Sequence, residues 1–399
     1  MKKFTILTCL FIILCTNVSV NAADKVKKKI LKYNVVNCFH DGLARAYRTN
    51  SKGGVKDYGF VNTKGEWKLT NDGNISDFSE GLARDSSTAN QRNYINKKGK
   101  VIFTLSKELT PGGPGHFSVY GDFHDGRAIV HKGRNSNACG AINKAGELVI
   151  PCKYWGISDF SHSYAVAAKD NKMGLIDTNG KVIVPFVYEY GEAVTDGFIF
   201  SKNSNFWEIY MKPGWWFYHE ISTYDVYDAD ANLVMTDANG IKDMDNGIIV
   251  VHDDNYNYID SDGIRTGQWK TIDVSGRVVY TAADGMSICN LGEGMYSIGD
   301  LEYEQLMNSS GNLIGNKKYA IIGYFSGNYA VVQEAKYDEA KLENSGKYGI
   351  IDKTGKEVVP CEYELPYLSD ILENIENGYV ILIDSKERSV LFTLPDENE

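Results

Sequence analysis

Residues Phe160 to Tyr188 read FSHSYAVAAKDNKMGLIDTNGKVIVPFVY, and the way this stretch parses decides the fold. An aromatic residue and a turn lead into the apolar run Tyr164-Ala-Val-Ala167. Lys169-Asp-Asn-Lys172 breaks that run, and Met173-Gly-Leu-Ile-Asp177 follows. Asp177-Thr-Asn-Gly180 is a turn whose last residue takes positive φ without a Cβ clash, and Val182-Ile-Val-Pro-Phe-Val-Tyr188 completes the unit. Two β-rich runs around a Gly-ending turn predict a hairpin, to which the first run adds a third strand.

The figure recurs at Phe325-Ser-Gly-Asn-Tyr-Ala-Val-Val332, Tyr348-Gly-Ile-Ile-Asp352 and Val358-Val-Pro-Cys-Glu-Tyr363. Upstream it opens at Phe39-His-Asp-Gly-Leu-Ala, Phe78-Ser-Glu-Gly-Leu-Ala and Phe123-His-Asp-Gly-Arg-Ala. These openings lie roughly 40 residues apart, the period of stacked supersecondary units. Between Tyr190 and Asp300 the pattern decays. Gly197-Phe-Ile-Phe200 opens a fifth repeat whose hairpin finds no place, and Gly247 to Val251 with Tyr258 to Gly263 reads as a sixth. Trp269 to Val279 adds a further hairpin, Leu291 to Ser297 with Met307 to Leu313 a seventh repeat, and Phe325 opens an eighth. The expectation is an all-β chain of about eight tandem antiparallel three-stranded meander or hairpin repeats. They stack as an open solenoid arc or close as a propeller-like ring, the irregular spacing favouring the arc. One such sheet has too little core to stand alone. Gly59, Gly140, Gly174 and Gly349 fall inside strands, where glycine marks a bulge or the close approach of another backbone.

The pattern F-x-x-G-x-A, x-G-x-I-D/N, K-x-G-K-x-V-I-P, then Y, resembles the bacterial WG-repeat family. Phe78, Gly81, Ala83, Gly174, Ile176, Asp177, Gly180, Lys181, Val182, Pro185 and Tyr188 stand where that family's pattern wants them. The match covers 39–190 and 325–363. It departs where the naming Trp would stand, which is Tyr, Cys or Met in this chain. The resemblance implies a repeat architecture and a binding role, without any shared chemistry.

Before the repeats, Lys2-Lys3, the apolar run Phe4 to Cys15 and the small residues of Val20-Asn-Ala22 have the layout of a secretory signal peptide cut after Ala22. The apolar run is shorter than the ~20 residues a membrane span needs. The chain thus divides into a signal peptide (1–22), a basic lead-in (23–38), repeats one to four (39–189) and a divergent region (190–300). C-terminal repeats and terminal strands (301–394) and an acidic tail (395–399) follow. Export to a periplasm or the cell surface is expected. Cys38, Cys139, Cys152, Cys289 and Cys361 would remain, with no zinc-like spacing. Cys139 and Cys152 flank one predicted hairpin, where they either face each other or serve as small buried hydrophobes. A formal charge of −10 argues against nucleic acid as a partner. The basic stretch Lys25 to Lys32 reads as a solvated face or linker.

His40-Asp41 and His124-Asp125 share one repeat slot, with His162 close to it. They could bind metal, but stacking sets equivalent residues in a row, and turn residues are the simpler reading. Asp228-x-Asp230-x-Asn232 and Asp260-Ser-Asp-Gly263 hint at calcium but lack the glycine and glutamate of an EF-hand loop, or repeat the ordinary turn. The segment 206–218 is the most unusual in composition. Trp207, Tyr210, Trp215, Trp216 and Tyr218 either form a platform for a protein or glycan, or pack as core around a Pro213-Gly214 turn. No GxSxG, HExxH, phosphate-loop or dinucleotide motif occurs. The reading is an exported, non-catalytic binding protein of the bacterial cell envelope with a protein or glycan partner, without metal or cofactor. The alternative is a glycan-acting hydrolase with its carboxylate pair in 190–300.

Overall fold

The computed structural model describes residues 26–395 apart from 72, 86–91, 113–120, 134–137, 203–222, 253–267, 301, 339–342, 345 and 367–374. All regular structure among the described residues is strand, and every pairing is antiparallel. Eight consecutive stretches each form one small antiparallel unit: 34–71, 75–104, 109–154, 156–188, 190–239, 241–281, 287–314 and 319–363, the last two joined into one seven-stranded sheet by the Glu304–Tyr319 pair. We call them blades one to eight. Each expected three-stranded repeat gains a short leading strand. In blade four Gly156–Ile157 pairs with Tyr164–Lys169, which pairs with Lys172–Asp177 and then Val182–Tyr188.

A ninth blade draws on both ends of the chain. Glu364 pairs with Ile383, Tyr379–Ile383 with Ser389–Thr393, and Lys27–Ile30 adds the outer strand in register Lys27 to Thr393 through Ile30 to Val390. The ring is therefore closed, and the arc that the irregular spacing favoured is corrected. The strands at the C-terminus complete a blade, and part of the basic lead-in is its outer edge.

Closure is visible in the core as well as in the pairing. Nine apolar clusters are buried among the described residues, and each lies between two adjacent blades. Leu31, Val35, Phe39 and Ala44 of the first turn of the ring pack on Ile381 and Leu391 of the last. The opening phenylalanines pack backward onto the preceding blade: Phe78 meets Phe60 with ring centroids 5.1 Å apart, and Phe123 meets Tyr94 at 5.6 Å. No blade owns a core, which is why one sheet cannot fold without its neighbours. Adjacent blades also touch through their leading strands, 241–245 against 287–290, which places those strands nearest the ring axis.

The in-strand glycines sit where the register slips between third and outer strands. A Cβ on Gly140 would stand 2.3 Å from the Ile150 carbonyl oxygen, and one on Gly174 2.6 Å from that of Val184. The same slip settles the cysteines. Cys139 lies in the cluster between blades three and four, whereas the bulge turns Cys152 toward the cluster between blades two and three. All five described cysteines are free, and burial pushes the Cys139 thiol up to about 11. Pro151, Pro185 and Pro360 are exposed in outer strands, where a missing N–H blunts edge-to-edge pairing.

Candidate functional site

Strand direction alternates, so the first and last turns of each blade emerge on one face of the ring and the middle turn on the other. The first turn is a two-residue hairpin loop, and in blades one to three both of its residues take positive φ: Asp41 and Gly42 at 55° and 74°, Glu80 and Gly81 at 51° and 88°, Asp125 and Gly126 at 48° and 73°. Glycine at the second position explains the Asp/Glu-Gly of the repeat. The acid ahead of it has a separate task.

Each of these acids reaches the next blade. An Asp41 carboxylate oxygen accepts the backbone N–H of Gly81, Glu80 that of Gly126 at 2.9 Å, and Asp125 that of Ser163 at 2.6 Å. The chain of bonds continues from Asp196 to the N–H of Asn246 at 3.1 Å, Asp245 to Gly294 at 2.6 Å and Glu293 to Gly327 at 3.4 Å. Glu376 of blade nine accepts the Gly42 N–H of blade one at 2.7 Å, so the series runs from blade nine through blade one round to blade eight. Between blades four and five His162 takes the place of the acid, its Nε2 3.2 Å from the Thr195 carbonyl oxygen. Three acids gain a lysine from the next blade's last turn: Lys97 on Asp41 at 2.7 Å, Lys144 on Glu80 at 3.0 Å, Lys353 on Glu293 at 3.3 Å. We call this the clasped face.

The last turns explain the other acids of the repeat. The Asp or Asn that opens the turn accepts two backbone N–H groups through one oxygen: Asp177 from Asn179 and Lys181, Asp228 from Asp230 and Asn232. Asp228 and Asn232 are thus turn residues, and Asp260 to Gly263 lie outside the described residues. No group of His, Cys, Asp and Glu suited to a metal ion exists among the described residues. Trp207, Tyr210, Trp215, Trp216 and Tyr218 also lie outside them; the flanking Ser201 and Tyr224 are paired strand residues on the opposite face from the clasps.

At the inner rim of the clasped face lies a cavity of about 450 Å³, shared by blades nine, one, two and three. Its carboxylates are Asp41, Asp77, Glu80, Asp122 and Glu376; His40, His124, Phe78 and Ser79 complete the wall. Asp77 is held by Arg45, whose Nε donates at 2.8 Å, and by the Asn37 amide at 2.7 Å. His124 Nε2 stands 3.9 Å from Asp159, and His40 Nε2 3.2 Å from Cys38 Sγ. Burial raises Asp122 above the ordinary carboxylate range; Arg84 opposes this, while Asp159 and Asp77 add to it. Lys97, Lys144 and Arg45 pair with Asp41, Glu80 and Asp77, so the remaining negative charge of the cavity rests on Asp122 and Glu376. Sequence reasoning had the two His-Asp pairs but not the cavity, whose walls come from residues more than three hundred positions apart.

Asp225 is buried against the Tyr188 hydroxyl at 2.7 Å and Lys202 at 2.9 Å, and Asp243 accepts from Thr195 N–H at 2.9 Å and the Asn290 amide at 3.0 Å.

The sequence profile described as "WG containing repeat" matches residues 140–172, 173–205 and 348–380, so the chain carries WG repeats built into a closed β ring. No curated protein matches it. Solved structures that resemble it include a eukaryotic initiation factor (11% identity, 72% of this chain and 78% of that one, TM-score 0.43). Another is KlAtg21 in complex with the coiled coil of AgAtg16 (11%, 84% and 97%, TM-score 0.38). A third is the Pan2 WD40 domain of Neurospora crassa (10%, 94% and 98%, TM-score 0.31). No helix among the described residues is long and apolar enough to cross a membrane.

Proposed function

We propose that the protein is an exported, non-catalytic binding ring of the bacterial cell envelope that holds a protein partner by a cationic side chain lodged in the clasped-face cavity. The observation that carries this reading is the cavity wall: five carboxylates against three paired cations, Lys97, Lys144 and Arg45, on a chain of formal charge −10. Such a site attracts lysine or arginine and repels acidic partners. A binding role is favoured over catalysis because the acids and imidazoles of the repeat are engaged in turns and blade junctions. Trp207, Tyr210, Trp215, Trp216 and Tyr218 are proposed as a second contact for a protein or glycan.

Titration with a lysine-rich peptide, at low and at physiological salt, tests the cavity. Binding should weaken as salt rises and fall about tenfold in Asp77→Asn with Asp122→Asn. Equal binding of an acidic peptide, or no loss in the double variant, refutes it. Glycan-array and pull-down binding by Trp215→Ala with Trp216→Ala tests the second contact, where unchanged binding removes it. Export is checked by the N-terminal residue of the protein recovered outside the cytoplasm, expected to be Ala23.

A further inference from the structure

Blade nine differs from the others in how its outer strand arrives. In blades one to eight the outer strand follows the third through a short turn, so it cannot leave without unravelling the hairpin. In blade nine it comes from the far end of the sequence and is held through one edge only, Lys27 to Ile30 against Val390 to Thr393. All four of its residues are exposed, whereas Ser389 to Phe392 are buried. Without its partner, that buried apolar strand would present a free row of N–H and C=O groups, a template for another extended chain.

We propose that the edge formed by residues 389–393 is a strand acceptor. It is filled in cis by 27–30 and takes an extended basic strand of the same chemistry in trans when the cis strand is withdrawn. Recognition has two parts. The backbone ladder accepts any extended chain, and the flanks give selectivity. Val26 packs on the cluster that contains Phe392, and Leu31 is 7% exposed in the cluster that joins blade nine to blade one. The Leu31 N–H donates to the Ser389 carbonyl at 2.8 Å, fixing the register. Lys29 Nζ donates to the Lys64 carbonyl at 2.6 Å, so a lysine between the two anchors also ties the strand to blade one. The partner implied is an extended segment with an apolar residue, lysines, and a second apolar residue five positions on.

The test uses the whole folded protein. A sequence-specific protease site is inserted between Lys32 and Tyr33, the folded ring is cut there, and a fluorescent peptide of residues 23–32 is added. The labelled peptide should enter the cut ring, and a peptide carrying Val26→Lys and Leu31→Lys should bind about tenfold more weakly or worse. Thermal unfolding should fall when the cut strand is washed out and recover when the native peptide returns. Failure of the native peptide to enter, equal entry of the variant, or an unchanged unfolding midpoint after washing would each overturn the proposal.

Discussion

The two faces of the ring obey different rules. On the clasped face every first turn joins its strands by two residues, and the last turns share one capped geometry from Asn62 through Asp352. On the opposite face the middle turn is Asp170-Asn171 in blade four, whereas in the sequence twenty-one residues separate the second and third strands of blade five and sixteen those of blade six. The difference has a physical cause. A clasp needs an acid on one turn and an N–H on the next at a fixed distance, so any insertion would break two junctions. Among the described residues the middle turns show no such series of bonds, and loop closure costs only a slowly rising entropy. Variation therefore accumulates where a partner can be met without loosening the ring.

The largest expected effect falls on the clasped face. Asp41→Ala with Glu80→Ala removes both acids from consecutive junctions, leaving the Gly81 and Gly126 N–H groups without their acceptors and removing the carboxylate partners of Lys97 and Lys144. Denaturant unfolding should show a loss of about 2–5 kcal/mol. A loss under 1 kcal/mol would mean that the series of bonds is ornament on an apolar core. Next, Asp245→Ala leaves the Gly294 N–H without its acceptor in a buried setting and should cost about 1–3 kcal/mol by the same measurement.

Blade four offers a gain. His162 and Ser163 occupy both positive-φ positions of its first turn, at 53° and 70°, where blades one, two, three, six, seven and nine place glycine second. Ser163→Gly should stabilise by about 1 kcal/mol, since glycine relieves the left-handed strain while keeping the N–H that Asp125 accepts. On the opposite face, replacing 203–222 by Asp-Asn, the turn of blade four, should change stability by less than about 1 kcal/mol. A collapse of the fold there would erase the contrast between the faces.

The smallest effect concerns acid. Hydrogen bonds from Ser275 and Arg277 hold Asp273 at about 2, and Arg388 does the same for Asp384. Both folded values lie below the ordinary 3.8, so the stabilisation is present above that range and is lost as pH falls toward 2. Asp273→Asn with Asp384→Asn keeps the turn, as Asn62 and Asn143 do, and should flatten the acid limb of a thermal-unfolding series.

The apparent decay of the repeat over 190–300 was a matter of insertions. Blade five's hairpin is Thr223–Asp228 with Leu233–Asn239, and blade six's is Trp269–Asp273 with Val278–Thr281. The segment Tyr258 to Gly263, read as the sixth hairpin, lies outside the described residues. In-strand glycines and the acids of the last turns were legible, because each answers to a local steric or hydrogen-bonding demand; the opening phenylalanines marked the repeats, but their packing onto the preceding blade is a contact between blades. Cys152 was less so, since a bulge, invisible to strict alternation, reverses the side a residue faces.

By itself the sequence determined the unit: a hairpin with a two-residue turn, a glycine bulge and an apolar stripe on each side, too small to survive alone. Whether those units end as an arc or a circle was decided only in three dimensions. Closure depends on Lys27–Ile30 meeting Val390–Thr393 and on Glu376 meeting Gly42, contacts between opposite ends of the chain that no local pattern encodes. The acidic cavity follows from that closure, because blades nine and one must be neighbours before their carboxylates can share a wall.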